Sequence, residues 1–262
     1  MHGSSRHFIT FVFNMPVSYS HDEVVPDSQS DKAKKTQVAD MFDSIAHRYD
    51  FLNRFLSAGI DRSWRKKALS KLKNSNPSSI LDVATGTADL AIMAADILNP
   101  NTITGIDISS KMLDAGRIKI NHKGLNQIIT LKEGDSEAIN YPNDSFDAVT
   151  VAFGVRNFQD LEKGLSEIRR VLKPGGQLVV LEFSKPKIPV WSHLYKIYMK
   201  YITPIFAGWF TKNKTAYIYL NNSIQAFPEG KDFLKVMYKT GFKQTSCEPL
   251  SFGISTIYTG LK

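Results

Sequence analysis

Apolar and polar positions change period several times along the 262 residues. In KKTQVADMFDSIAHRY (Lys34 to Tyr49), Val38, Met41, Phe42 and Ile45 recur at helical spacing. A second helix is predicted over Asp61 to Leu72. SILDVA, introduced by Pro77 and two serines, reads as a short buried strand. The pattern then alternates: LAIMAADIL as helix, TITGIDI as strand, and SSKMLDAGRIKINHK as helix with Ser109 or Ser110 as N-cap. IITLKEGD and FDAVTVAFG follow as strands, LEKGLSEIRRVLK as a helix closed by Pro174-Gly175-Gly176, and QLVVLEFS as a strand. Strands alternating with helices of this length predict an α/β fold, an open doubly wound and mostly parallel sheet covered on both faces.

The rhythm breaks after Ser184. Residues 185–228 are aromatic, basic and irregular. A last helix is expected near Gly230 to Thr240, and FKQTSCEPLSFGISTIYTGL reads as a terminal hairpin. Residues 1–33 are set aside as a disordered N-terminal tail, with Met15 as an alternative start. Residues 34–262 are then a single domain, in which 34–76 supply cap helices and 185–228 an insertion.

Composition is that of an ordinary globular protein, with 42% hydrophobic and 22% charged residues. No apolar run approaches the roughly 18 residues of a spanning helix. Cys247 is the only cysteine, which excludes an intrachain disulfide and a cysteine metal cluster and suits a reducing, cytoplasmic setting. The formal net charge of +8 is uneven. No acid falls between Glu182 and Glu229, where Lys185, Lys187, Lys196, Lys200, Lys212 and Lys214 lie.

The first strand runs into LDVATGTADL (Leu81 to Leu90), a turn with one glycine. In such sheets the ligand sits at the carboxyl ends of the strands. Gly86 permits close backbone approach, and the following helix presents free amides to an anion. The patterns G-x-x-x-x-G-K-[ST] and G-x-G-x-x-G are both absent, which argues against phosphate or dinucleotide. Asp82 and Asp89 would repel a pyrophosphate but attract a cation, so an adenosyl ligand with an amino group and a sulfonium fits better. Asp107 ends the second strand about 20 residues past the turn, where a carboxylate takes ribose hydroxyls. Asp135 and Ser136 follow the third strand and could bond the adenine amino group. Each acid taken alone also fits a solvated cap or turn residue.

This core resembles the Rossmann-like S-adenosylmethionine-dependent methyltransferases (class I, seven-stranded). YDFLNRFLSAGIDRSW (Tyr49 to Trp64), FGVRN (Phe153 to Asn157), RVLKPGGQLVVLEFS (Arg170 to Ser184) and YLNNSIQAFP (Tyr219 to Pro228) are similar to motifs of the quinone-biosynthesis C-methyltransferases. The resemblance runs from about Lys34 to Lys262. It implies S-adenosyl-L-methionine as cofactor, held by Thr87, Asp107 and the Asp135-Ser136 pair, and a polyprenylated hydroquinone as acceptor. The reaction implied is C-methylation of demethylmenaquinol, the last step of menaquinone synthesis. The alternative is a 2-methoxy-6-polyprenyl-1,4-benzoquinol of the ubiquinone route. In the family's first motif a histidine stands three residues before the tryptophan. Asp61 stands there in this chain, which puts any role for that histidine in doubt. Leu52 replaces the family's usual methionine.

Methylating a ring carbon requires two substrates in line and a stabilised phenolate. Arg156 and Asn157 follow the fourth strand, where Arg156 could stabilise the phenolate and Asn157 orient the ring hydroxyl. Arg156 could instead form an ion pair with Asp160. Asp50 or His47 is a candidate base, with Asp50 as helix cap the competing reading. Tyr49 and Asn53 are candidate acceptor contacts between the N-terminal helices. Trp191, Leu194, Tyr195, Tyr198, Met199 and Ile202 recur at helical spacing and suggest a lid that takes the prenyl tail, with Lys196 and Lys200 touching an anionic membrane. A homodimer is compatible with these features. A nucleic-acid partner would call for a stacking-rich motif or basic arm, and neither is evident. A non-catalytic cofactor-binding protein is the remaining rival.

Overall fold

The computed structural model describes residues 19–57, 59–186 and 214–262. The candidate lid residues Trp191 to Ile202, with Lys196 and Lys200, lie outside the described residues, as do residues 1–18. The elements are α1 (Lys34–Ile45), α2 (Tyr49–Leu56), α3 (Asp61–Ser70), β1 (Ser79–Val83), α4 (Asp89–Leu98), β2 (Thr102–Asp107) and α5 (Ser110–His122). They continue with β3 (Ile129–Glu133), β4 (Phe146–Ala152), α6 (Leu161–Val171), β5 (Leu172–Phe183), α7 (Lys214–Ala226), α8 (Lys231–Lys239), β6 (Lys243–Leu250) and β7 (Ser255–Leu261).

The seven strands form one sheet in the order β3-β2-β1-β4-β5-β7-β6. β1 to β5 run parallel, and β7 adds antiparallel between β5 and β6. Successive strand residues turn to opposite faces. Ile80, Ile103 and Val179 therefore join Leu69, Leu113 and the alanines of α4 on one face. Leu81, Val83, Val149 and Val180 join Leu165, Ile168, Phe233 and Tyr258 on the other. Burial on both faces explains the continuous apolar runs of the parallel strands. The order reverses between β1 and β4, and the crevice at their carboxyl ends is where such sheets take a ligand. Ser109 is the N-cap of α5, its hydroxyl accepting from Met112 N at 3.3 Å.

Several expectations are corrected. Pro174-Gly175-Gly176 does not close a helix. α6 stops at Val171, and these residues lie inside β5 at a bulge, between the pairings Phe146–Leu172 and Ala148–Gln177, with Gly175 at φ 77°. Lys214–Ala226 is helical rather than irregular. Tyr219, Ser223 and Ile224 are buried along one side, and the polar Asn221 and Asn222 hid that stripe. Tyr49, Asp50 and Asn53 do not lie between helices but on α2, set off from α1 by a single 3-10 turn, Ala46–Arg48. Residues from Tyr19 onward, placed in the expected tail, pack on the domain. Tyr19 OH donates to Glu162 Oε1 at 2.5 Å, Lys34 Nζ donates to the His21 carbonyl at 2.6 Å, and His21 is buried edge-on to Phe227.

Candidate active site

The β1 turn, Ala84 to Ala88, keeps a glycine-turn backbone with a single glycine. Ala84, Gly86 and Ala88 have φ of 53°, 56° and 63°. For the two alanines this left-handed conformation costs about 1–2 kcal/mol each. The turn is held in it from several sides. Thr85 N donates to Ile106 O at 3.0 Å, Ala88 N to Thr85 O at 3.0 Å, and the Thr85 hydroxyl to Asp82 Oδ2 at 2.6 Å. Asp82 takes the Thr150 hydroxyl on its other oxygen at 2.7 Å. It therefore clamps the turn and β4 from below and does not line the cleft, contrary to its expected part as a cofactor contact. Burial pushes its acid up to about 6 against these hydroxyl donors.

Asp107, at the end of β2, faces the cleft. Its Oδ2 accepts from Gly86 N at 2.8 Å and its Oδ1 from Ser109 N at 2.9 Å. Burial pushes Asp107 up to about 6 as well; these backbone donors work against that, and the Asp82 charge adds to it. Each carboxylate oxygen has two lone pairs, so acceptor capacity remains for hydroxyls in the cleft. Asp135 and Ser136 line the same cleft beyond β3. Lys35 Nζ, from α1, reaches Asp135 Oδ2 at 2.6 Å and Glu137 Oε2 at 3.1 Å. Burial works against it, but the Lys35 ammonium holds Asp135 below the usual carboxylate range. Glu137 is buried and accepts Gln159 N and Asp160 N at 2.8 and 2.9 Å, which fixes the loop before α6. Sequence reading missed Lys35 and Glu137. Their spacing from the strand ends carries no local pattern.

The opposite wall comes from β4. Gly154 is required by close approach, because a Cβ there would sit 2.5 Å from the Ala84 Cβ. Phe153, at φ 58°, turns its carbonyl to Arg156, whose guanidinium donates to it at 2.5 Å. Arg156 does not pair with Asp160, which instead caps α6 through Lys163 N at 2.9 Å. Its partner is Glu182 on β5 at 2.7 Å, and both side chains are buried. An acid inside the apolar run QLVVLEFS was the available signal for Glu182. Arg156 Nε has no hydrogen-bond partner among the described residues. Phe153 stacks on Phe183 at 4.5 Å, with Arg65 over the first ring at 5.2 Å and Arg156 over the second at 5.4 Å. Asn157 lines the cleft and accepts from Tyr219 OH at 3.1 Å.

α2 caps this crevice. Tyr49 lines the cleft edge-on to Phe42, and its Cε1 lies 3.9 Å from where a Gly86 Cβ would be. Burial pushes the Tyr49 phenol up, while its hydrogen bond with Asn53 and the charges of Arg65 and Arg156 pull it back. Asn53 thus meets the cleft through Tyr49 rather than directly. Asp50 and Thr87 point away from the cleft and toward each other. The Thr87 hydroxyl donates to Asp50 Oδ1 at 2.5 Å, and Lys119 reaches both. Asp50 is therefore neither a helix cap nor a free base, and the Thr87 side chain is turned from the cleft lining. His47 is exposed and does not line it either. Asp61, in the place of the histidine, is buried on α3. It accepts from the Ser57 hydroxyl at 2.8 Å and lies 3.5 Å from Arg65.

The cleft combines a close-approach turn, an acid positioned for hydroxyls and an aromatic wall backed by cations. About 630 Å³ of space, open to solvent at its mouth, lies between these walls. The donor set fits an adenosyl ligand of positive charge: acceptors dominate, and the two lysines nearby are already paired, Lys119 with Asp50, Thr87 and Asp89 and Lys35 with Asp135 and Glu137.

Comparison with known proteins agrees. A sequence model described as the ubiE/COQ5 methyltransferase family matches residues 30–262. A protein named demethylmenaquinone methyltransferase from Bacteroides fragilis is 45% identical over 246 residues, 94% of this chain and 100% of its own length. One named ubiquinone/menaquinone biosynthesis C-methyltransferase UbiE from Geotalea daltonii is 46% identical over 230 residues, 87% of this chain and 97% of its own. Among solved structures, the [4+2]-cyclase SpnF superposes with a TM-score of 0.64 at 18% identity, covering 87% of this chain and 96% of that one. A phosphoethanolamine N-methyltransferase 2 of Haemonchus contortus, in complex with S-adenosyl-L-methionine, gives 0.55 at 17% identity over 75% of this chain and 52% of that one. At those identities the likeness is one of fold alone. By the match along nearly its whole length, this chain belongs to the ubiE/COQ5 methyltransferase family and is an S-adenosylmethionine-dependent methyltransferase.

Proposed function

We propose that this enzyme methylates the ring carbon of demethylmenaquinol to give menaquinol. The observation that carries the reading is the arrangement at the β1–β4 crevice. A hydroxyl-seeking Asp107 lies on one side, and the Phe153–Phe183 stack with its two arginines lies on the other. The first side suits a ribose and the second a flat aromatic ring carrying developing negative charge. The relatives named for demethylmenaquinone, in Bacteroides fragilis and Deinococcus radiodurans, support the naphthoquinol.

Asp107 and the Gly86 turn would hold the nucleoside, with Asp135 and Ser136 toward the base. When bound, S-adenosylmethionine would supply an electrophilic methyl group to the ring carbon and leave as S-adenosylhomocysteine, the ring carbon's own proton passing to solvent. The residues of the chain raise the nucleophilicity of that carbon. The Arg156 guanidinium, fixed behind the Phe153 wall by Glu182 and the Phe153 carbonyl, turns its positive charge toward the ring oxyanion across that wall. Asn157 orients the ring hydroxyl, and the half-buried Tyr49 on the cleft wall covers the ring. Asp61 does not act as a base in this scheme; with the Ser57 hydroxyl it holds Arg65.

Two measurements test the reading. The purified enzyme with S-adenosylmethionine should convert demethylmenaquinol to a product heavier by one methylene. Turnover confined to a methoxy-benzoquinol would move the assignment to the ubiquinone route, which the relatives named UbiE keep in view. Arg156→Met should lower kcat at least a hundredfold with cofactor affinity kept; near-normal turnover would remove Arg156 from the chemistry.

No helix among the described residues is long and apolar enough to cross a membrane. A prenylated acceptor nonetheless resides in lipid. The reading therefore places the reaction at an anionic membrane surface on the cytoplasmic side, with the 185–228 insertion receiving the tail. Liposome binding that ignores charge reversal at Lys196 and Lys200 would count against this. A homodimer is part of the same proposal, and sedimentation would test it.

A further inference from the structure

One ammonium group joins three elements beside the cleft, and the chemistry described above does not use it. Lys119 Nζ, on the last turn of α5, donates to Asp50 Oδ2 of α2 at 2.8 Å, to Thr87 Oγ1 of the turn at 3.0 Å, and to Asp89 Oδ1 at the start of α4. The Thr87 hydroxyl in turn donates a hydrogen bond to Asp50 Oδ1 at 2.5 Å. An ammonium has three donors, and each has a partner here. The side chains of Lys119, Asp50 and Asp89 keep only 27%, 26% and 25% of their exposure, so solvent screens these contacts less than surface pairs. Burial opposes it, but the Lys119 charge holds Asp89 below the usual carboxylate range. Arg54 and Arg65 are the other cations that act on that carboxylate. None of the four node residues lines the cleft.

The node has a mechanical consequence. Neighbouring residues on a helix point about 100° apart. Asp50 is pinned to the outer side of the turn while Tyr49, next to it, lies over Gly86 on the inner side. Anchoring one sets the rotation of the other. The same ammonium restrains Thr87, adjacent to the Gly86 amide that Asp107 engages. α2 is short and lies between a 3-10 turn and a loop, and among the described residues its other anchors include the buried Leu52 and the edge-on contact of Tyr49 with Phe42.

We propose that Lys119 is a positioning residue that couples the cap helix α2 to the cofactor turn, so that filling the turn and seating Tyr49 over the acceptor end are one event. The meaning of an acceptor end rests on the function proposed above. The coupling itself does not, and its test uses no acceptor.

The test takes the full chain as wild type, Lys119→Met, Lys119→Arg, Asp50→Asn and the Asp50→Asn/Lys119→Met double variant. S-adenosylhomocysteine affinity is measured by calorimetry, and amide hydrogen exchange is followed in residues 49–56 with and without that compound. In the wild type, S-adenosylhomocysteine should slow exchange in α2. In Lys119→Met that protection should vanish while β1 and β4 amides stay protected, and affinity should fall roughly tenfold. Lys119→Arg should recover part of both, and the double variant should be no worse than Lys119→Met alone. Unchanged α2 protection in Lys119→Met, or losses that simply add in the double variant, would overturn the proposal. If Lys119→Met also loosens the sheet, the milder Asp50→Asn decides: α2 exchange must rise with the sheet intact, and otherwise the coupling fails. A wild type that leaves the quinol unmethylated would refute the functional reading and leave this result standing.

Discussion

Asp82 and Asp107 end neighbouring strands, and burial pushes both acids up to about 6. Their surroundings differ in kind. Asp82 spends one oxygen on the Thr85 hydroxyl and the other on the Thr150 hydroxyl, and it is sealed beneath the turn. Asp107 accepts two backbone amides and remains on the wall of the cleft. A perturbed acid therefore does not by itself mark a ligand contact. What marks it is the direction in which its remaining lone pairs point. Asp82 serves the strained backbone of Ala84 and Ala88, whereas Asp107 serves whatever enters.

The comparison can be broken by experiment. The largest effects should come from removing each acid in turn. Asp82→Ala strips two buried hydroxyls of their acceptor and should cost about 3 kcal/mol of stability in denaturant unfolding. Asp107→Ala should cost under about 1 kcal/mol of stability yet weaken S-adenosylhomocysteine binding about a hundredfold. The reverse pattern would mean that the roles are assigned the wrong way round. A smaller effect should appear in pH. An acid raised on folding contributes stability below its unfolded value near 3.8 and loses it as pH rises through about 6. For Asp107 a ligand whose hydroxyls donate to the carboxylate favours the ionised form. S-adenosylhomocysteine affinity should therefore fall about tenfold from pH 7 to pH 5, and Asp107→Asn should flatten that part of the profile. Asp82→Asn should leave it in place.

The doubly wound sheet, the helices that cross between its strands and the terminal hairpin were legible in the alternation of apolar periods, whereas α7 was not. So was the switch point, since SILDVA, TITGIDI and FDAVTVAFG each carry small or acidic residues at or next to their last position. Gly86, Asp107, Asp135, Ser136, Tyr49 and Asn157 were legible as site candidates, and the fold brings all of them to one cleft. Asp82, Thr87, Asp50 and Asn53 were named as well, but they stand behind that wall and support it. Arg156 has the same standing geometrically, held by a glutamate 26 residues away. Partners at such separations leave no periodic trace. Lys35 lies 100 residues before Asp135, and Lys119 lies 69 after Asp50. Only chain topology brings them together. The 3-10 turn that creates α2 interrupts a stretch whose period suggested one continuing helix, whereas the bulge in β5 falls on Pro174-Gly175-Gly176, which propensity keeps out of a helix and only strand pairing places inside β5.

The sequence alone determined that this chain folds as a doubly wound sheet with an acid-rich, lysine-free turn at its switch point. Period, strand-end residue types and missing phosphate motifs are local properties. The tertiary structure decided which acids face the ligand. A side chain's direction at a strand end depends on the neighbouring strand's hydroxyls and amides, and these come from elsewhere in the chain. Asp82 meets Thr150 and turns inward. Asp107 meets the Gly86 amide and stays at the cleft.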